Sequence, residues 1–242
     1  MSKSISIYKV RRVVALISAV IAFGVWVFAN YQAPKPDTNA ETEISENKIE
    51  KNDNNGDAEL AINVLDSLEE KAKYTGERYY RKKFYDNWGE INGCRTREVI
   101  LKRDLQDTVM NGCKVMSGIL NDPYTGKEIQ FTRGQQTSQL VQIDHVVALS
   151  NAWATGAYLL SSEERYTLSQ DPLNLIAVDG KANQNKSNQD ASNWLPENKD
   201  FQCEYVARQI SVKQKYRLWV THKEKDAMKY VLSTCPMQKI LK

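Results

Sequence analysis

Two stretches decide how this chain reads: Gln142-Ile143-Asp144-His145-Val146-Val147-Ala148-Leu149, and Asn174-Leu175-Ile176-Ala177-Val178-Asp179-Gly180-Lys181-Ala182-Asn183-Gln184-Asn185-Lys186-Ser187. The first carries Asp-His at the end of a strand expected over Leu140–Ile143, and the second an apolar run Leu175–Val178 ended by Asp-Gly, after which a polar helix is expected from about Ala182. Together they supply an imidazole, hard oxygen donors and a cation. Those are the groups needed to cleave a phosphodiester, whose charge repels a nucleophile and whose leaving alkoxide is poor.

His145, with an ordinary pKa of about 6.5, is the candidate general base. Asp144 and Asn183 are candidate ligands of one divalent ion. A carboxylate and an amide oxygen suit magnesium or manganese, whereas zinc wants more nitrogen. Neighbouring strand residues point to opposite sides, so Asp144 and His145 share a pocket only if the strand ends there. Asn174 is a candidate for holding the His145 loop through its backbone. Lys186, Arg95 and Arg97 are candidate phosphate contacts, the arginines through their planar fork. Singly these residues say little: an isolated Asp-His is usually a turn or a satisfied polar pair. The ordered set carries the reading. The other histidine, His222, falls inside the capping box Thr221…Glu224 and reads as a surface helix residue.

Outward from this centre, the chain divides in three. Lys3, Lys9, Arg11 and Arg12 precede an apolar run, residues 13–29, so residues 1–32 read as a signal peptide or a signal anchor that tethers the rest outside the cytoplasmic membrane. Residues 33–57, with Pro34, Pro36 and little that is large and apolar, read as a disordered acidic linker. Residues 58–242 form the folded domain. Residues 1–36 carry +5 and 37–59 carry −6, so of the chain's +3 the part from Leu60 onward holds +4, a modest surplus compatible with a polyanionic substrate. Cys94, Cys113, Cys203 and Cys235 all follow the leader and none forms a Cys-x-x-Cys pair. This disfavours a zinc knot and favours disulfides, with Cys94–Cys113 and Cys203–Cys235 preferred because each closes one local excursion.

Within the domain, periodicity predicts helices over 58–73, 96–107, 150–160 and 162–169, and from Phe201 to the C-terminus. Strands are predicted at 114–120 and 127–131 around the turn Asp122-Pro123-Tyr124-Thr125-Gly126, and at 140–143 and 173–178. The fold class is α+β, mainly helical with a small antiparallel sheet. In Tyr79–Trp88, Arg78, Arg81, Lys82 and Lys83 alternate with aromatics. Such a stretch fits either a nucleic-acid groove or a core anchor, and the core is preferred.

Ile143-Asp144-His145-Val146-Val147 with Asn174-Leu175 and Asn183-Gln184-Asn185-Lys186-Ser187 resembles the HNH, or ββα-metal, endonucleases. Asn92-Gly93-Cys94-Arg95-Thr96-Arg97, the 122–126 turn, Asp171-Pro172-Leu173-Asn174-Leu175, Trp194-Leu195-Pro196 and Tyr205-Val206-Ala207-Arg208 extend the likeness to the secreted HNH-family proteins of bacteria, over roughly Tyr79 to Cys235. The resemblance implies a ββα-metal finger with His145 as base, Asp144 as metal ligand and Asn183 at the second ligand's position. Ala148 stands where relatives often carry proline, and asparagine stands for the last histidine of the family name.

The expectation is therefore an exported endonuclease with one Mg2+ or Mn2+, acting on DNA ahead of RNA and needing no obligate protein partner. The rival is a non-catalytic secreted or surface protein that binds nucleic acid or cell-wall polymer on the same fold. A third reading is a purely structural, disulfide-stabilised domain.

Overall fold

The ribbon that carries the two opening motifs separates two apolar clusters. β6 (Val141–His145) pairs antiparallel with β7 (Leu175–Asp179), with His145 opposite Leu175, Asp144 opposite Ile176 and Val141 opposite Asp179. Alternation turns Val141, Ile143, Leu175 and Ala177 into one cluster, and Ile176 and Val178 into another. A ribbon apolar on both faces is a buried one, and both strands are almost wholly buried. These coordinates are a computed structural model that describes residues 59–134 and 137–242, which lie in one compact unit. The segments expected to be a signal peptide or anchor (1–32) and an acidic linker (33–57) lie outside the described residues. Among the described residues no helix is long and apolar enough to cross a membrane.

In chain order, the described elements before this ribbon are α1 (Ala61–Ser67), a 3-10 turn at Arg81–Lys83, β1 (Glu90–Ile91), β2 (Cys94–Arg95), α2 (Thr96–Asp104), β3 (Gln106–Asn111), β4 (Lys114–Asn121), β5 (Glu128–Thr132) and a 3-10 turn at Thr137–Gln139. Between β6 and β7 lie α3 (Leu149–Ala154) and α4 (Ser162–Gln170). After β7 come α5 (Gly180–Lys186), α6 (Lys199–Lys215) and α7 (His222–Ser233). The strands form three separate antiparallel sheets, β1-β2, β3-β4-β5 and β6-β7, in place of the single small sheet expected.

Several expected helices are shorter, each for a visible reason. α1 ends at Ser67, not Lys73, because Glu69 and Lys71 exchange backbone hydrogen bonds with Val220. α2 ends at Asp104. The chain then enters β3, a strand absent from the sequence reading, through an irregular register in which Asp107 has φ of 48°. The expected 150–160 helix breaks after Ala154, since Gly156 takes φ of 129° with its Cα beside the Trp219 ring. The Thr221–Glu224 capping box forms and starts α7.

α1, α6 and α7 bury Leu65, Tyr205, Ile210, Met228 and Leu232 together with Tyr124. A second cluster joins Phe84, Tyr85, Trp153, Leu168 and Val212, and a third sets Ile100 and Leu101 of α2 against β4, β5 and the ribbon. Each such side chain fully buried contributes about 1.5–3 kcal/mol. Cys94 is bonded to Cys113, and Cys203 to Cys235, the second linking α6 to the residue just beyond α7. Lys213 and Glu224, both fully buried, pair at 3.1 Å between the same two helices.

Candidate functional site

β6 ends at His145, and the turn beyond it is fixed by one fully buried side chain. Asn174 Oδ1 accepts from Val147 N–H at 2.8 Å, its Nδ2 donates to Val147 O at 3.3 Å, and its carbonyl accepts from Val146 N–H. Ending the strand here lets two neighbours of opposite facing, Asp144 and His145, border one cleft of about 320 Å³. Gln142, Asn183, Gln184 and Asn188 border it too. α5 follows β7 without a linker and is capped by Asp179, which accepts from Ala182 N–H; this brings Asn183 to the same opening.

His145 is only 6 % exposed. Its Nε2 lies 2.9 Å from Ser169 O, and a carbonyl only accepts, so Nε2 carries the proton and Nδ1 keeps the lone pair. The ring lies parallel to Trp88, at 3° with centroids 5.7 Å apart, and Tyr85 packs 6.2 Å away. Burial, with the positive charges of Arg81 and Lys186, outweighs the Ser169 hydrogen bond and lowers its pKa to about 3. The imidazole is therefore neutral across the working pH range.

Asp144 is buried on the other face of the ribbon. Tyr124 OH donates to its Oδ2 at 2.5 Å, and Lys186 Nζ lies 3.1 Å from Oδ1 and 2.9 Å from Oδ2 while also donating to His145 O. Burial and then the Asp144 charge raise the Tyr124 pKa well above the usual phenol value, so the hydroxyl stays a donor. The 122–126 turn that carries Tyr124 also holds the start of α5, because Asp122 Oδ1 accepts from Asp179 N–H. Asn183 Nδ2 donates to Gln142 Oε1 at 2.8 Å, which leaves its amide oxygen as the end able to bind a cation.

The sequence-derived residues thus fall into two groups. Asp144, His145 and Asn183 meet at the cleft, with Asn174 directly behind. Lys186 is fully buried against Asp144 and His145 and presents no surface to a phosphate. Arg97 donates to Ser138 O and Val141 O, and exposed Arg95 borders a different cleft with Glu98 and Arg133. His222 is an exposed residue of α7 whose Nδ1 pairs with Glu70 at 2.9 Å. A larger groove, about 550 Å³, runs past His222, Glu70, Lys73 and Asp190, where Lys73 pairs with Asp190 and His222 with Glu70, and none of the central residues borders it.

Sequence reasoning missed Tyr124, Trp88, Gln142, Ser169 and Arg81 as neighbours of the site. The 122–126 turn and the aromatic-basic stretch were visible in the sequence, though nothing there linked them to Asp144 or His145.

Among the described residues no group of three or more His, Cys, Asp and Glu side chains is placed to hold a metal. The donors at the cleft are a carboxylate and amide oxygens. Such a set is too small to cage an ion, yet it fits a hard cation that keeps most of its waters.

Comparison with known proteins gives the family. An uncharacterized secreted protein of the fungus Arthroderma benhamiae is 37% identical over 182 residues, covering 74% of this chain and 86% of that protein. That relative is fungal, where the sequence reading expected the secreted proteins of bacteria. No solved structure matches the chain. Residues 38–231 match the family model described as the C-terminal domain of GmrSD restriction endonucleases, and the chain belongs to that family.

Proposed function

We propose that this chain is an exported, divalent-metal-dependent endonuclease that hydrolyses DNA, and RNA as the alternative substrate, with His145 as general base. The observation that carries the reading is the meeting of His145, Asp144 and Asn183 at one cleft, on an antiparallel strand pair followed at once by a helix. That order supports a ββα-metal site, and a family named for restriction endonucleases supports the phosphodiester chemistry. The two cystines, and a relative described as secreted, support export.

In this reading Ser169 O fixes the imidazole tautomer, Trp88 fixes its plane, and His145 Nδ1 takes the proton of the attacking water. Asp144 and the Asn183 amide oxygen would hold Mg2+ or Mn2+. When bound, the ion supplies positive charge at the phosphate and the leaving oxygen. Lys186 and Tyr124 orient Asp144, and Asn174 sets the loop behind the base.

The test is supercoiled plasmid with the purified chain in Mg2+ and in Mn2+. Cleavage is expected, with loss on chelation, and His145→Ala should fold with an unchanged circular-dichroism spectrum but lose at least about 10²-fold in rate. Full nicking by the pure variant rejects His145 as base. One observation favours the rival, a nucleic-acid binder without catalysis: the Asp144 charge is already offset by Lys186. Binding by the wild-type chain without hydrolysis in either ion would establish that rival.

A further inference from the structure

Apart from the ion, the mechanism leaves the cleft without a side chain to hold the substrate's charge, since Lys186 is buried and Arg95 and Arg97 lie elsewhere. Among the described residues that border the cleft, Arg81 is the one cation. It is exposed, on the 3-10 turn, and its position is fixed: Nε donates to Tyr85 OH at 3.0 Å, Nη2 donates to the same oxygen, and the guanidinium lies over the Tyr85 ring 5.0 Å from its centroid. Tyr85 is itself buried against His145. The guanidinium is thereby held next to the base with its Nη1 side unused by these contacts. It is also close enough for its charge to act on the imidazole.

The surrounding sequence splits along the same line. Phe84 and Tyr85 turn into the core, as aromatic anchors do. Arg78, Tyr80 and Lys82 stay exposed, Tyr80 at 54 % with Arg78 over its ring, while Tyr79 borders the cleft. Cations interleaved with exposed rings bind a phosphodiester strand together with its bases, by charge and by stacking. A simple anion would not need the rings.

We propose that the segment Tyr79–Lys82 is the strand-binding rim of the cleft, with Arg81 the cation that holds the substrate phosphate beside His145 and Asp144. This rests on the reading of the cleft as a nuclease site and adds its substrate contact. A guanidinium offers a phosphate two parallel donors, and it keeps its charge at any working pH.

The test uses the full chain in the His145→Ala background, so that binding is read apart from cleavage, with a fluorescein-labelled single-stranded DNA 12-mer titrated at several salt concentrations. Arg81→Gln is expected to weaken binding about tenfold and to make the log-log salt dependence shallower by about 0.7, the change for one lost phosphate contact on a single strand. Arg81→Lys should keep the wild-type slope. A merely structural role for Arg81 would lower affinity without changing that slope. The proposal is overturned if Arg81→Gln leaves affinity and slope unchanged, or if Arg81→Lys loses the slope as fully as Arg81→Gln does. If the wild-type chain cleaves and Arg81→Gln is neutral, the rim fails alone. If nothing cleaves yet binding depends on the Arg81 charge, the catalytic reading fails and the rim stands.

Discussion

At the scale of single residues, the most consequential finding is a histidine kept neutral by its surroundings. The unfolded chain takes up a proton at His145 near pH 6.5, whereas the folded chain does so only at about 3. Stability from this group is therefore complete above about pH 6.5 and is lost as pH falls toward 3, at up to about 1.4 kcal/mol per pH unit. Thermal melts in chelator at pH 7, 5.5 and 4.5 should show the decline, and His145→Gln should flatten it; equal declines in both proteins would rule the cause out. Tyr124→Phe makes a second case. Removing the hydroxyl takes a hydrogen bond from a buried carboxylate, so urea unfolding should report a loss of about 1.5–3 kcal/mol. A loss under about 0.5 kcal/mol, the range of an inert surface change, would mean that Lys186 alone satisfies Asp144.

At the scale of elements, one buried amide does what a turn sequence cannot. Val146-Val147-Ala148 contains no glycine, proline or aspartate to end a strand, and Asn174 on the neighbouring segment stops β6 by taking the Val147 N–H. Asn174→Ala should leave that buried donor without a partner and cost about 2–3 kcal/mol, with a drop in plasmid nicking larger than the lost stability explains. Unchanged nicking would separate the loop from the chemistry. This contact also marks what was legible beforehand. Asp144, His145, Asn174 and Asn183 were readable because a short alternating pattern and the chemistry of their side chains sit together in sequence. Arg81, Trp88 and Tyr124 were not, since each reaches the cleft through tertiary packing from an element whose local pattern describes only its own fold. Lys186 shows the opposite failure: a lysine in a polar helix reads as exposed, and only the partner on β6 explains its burial.

At the scale of the whole molecule, three small clusters replace one large core, so cross-links between elements matter more than any single layer. The bond Cys203–Cys235 closes a loop of sequence separation 32 between α6 and the end of α7. Its removal in a Cys203→Ser, Cys235→Ser variant should cost about 3–4 kcal/mol in guanidinium unfolding, and reductant, which also opens Cys94–Cys113, should cost the wild type more than this and the variant only the smaller remainder. An unaltered midpoint would show that α1, α6 and α7 hold together by packing alone. The three-sheet architecture was hidden because β1 and β2 have two residues each, and β3 begins where helical periodicity still runs.

The buried ammonium of Lys186 has one further consequence. Two acidic walls facing each other would keep an ion-free cleft from closing, but here the single carboxylate already has a counter-charge built into the polypeptide. If the cleft binds a divalent ion as proposed, such a protein would complete its folding without the ion and take it up later. Lys186→Met should reverse this order, giving a chain whose melting temperature rises steeply with added manganese while that of the wild type rises little.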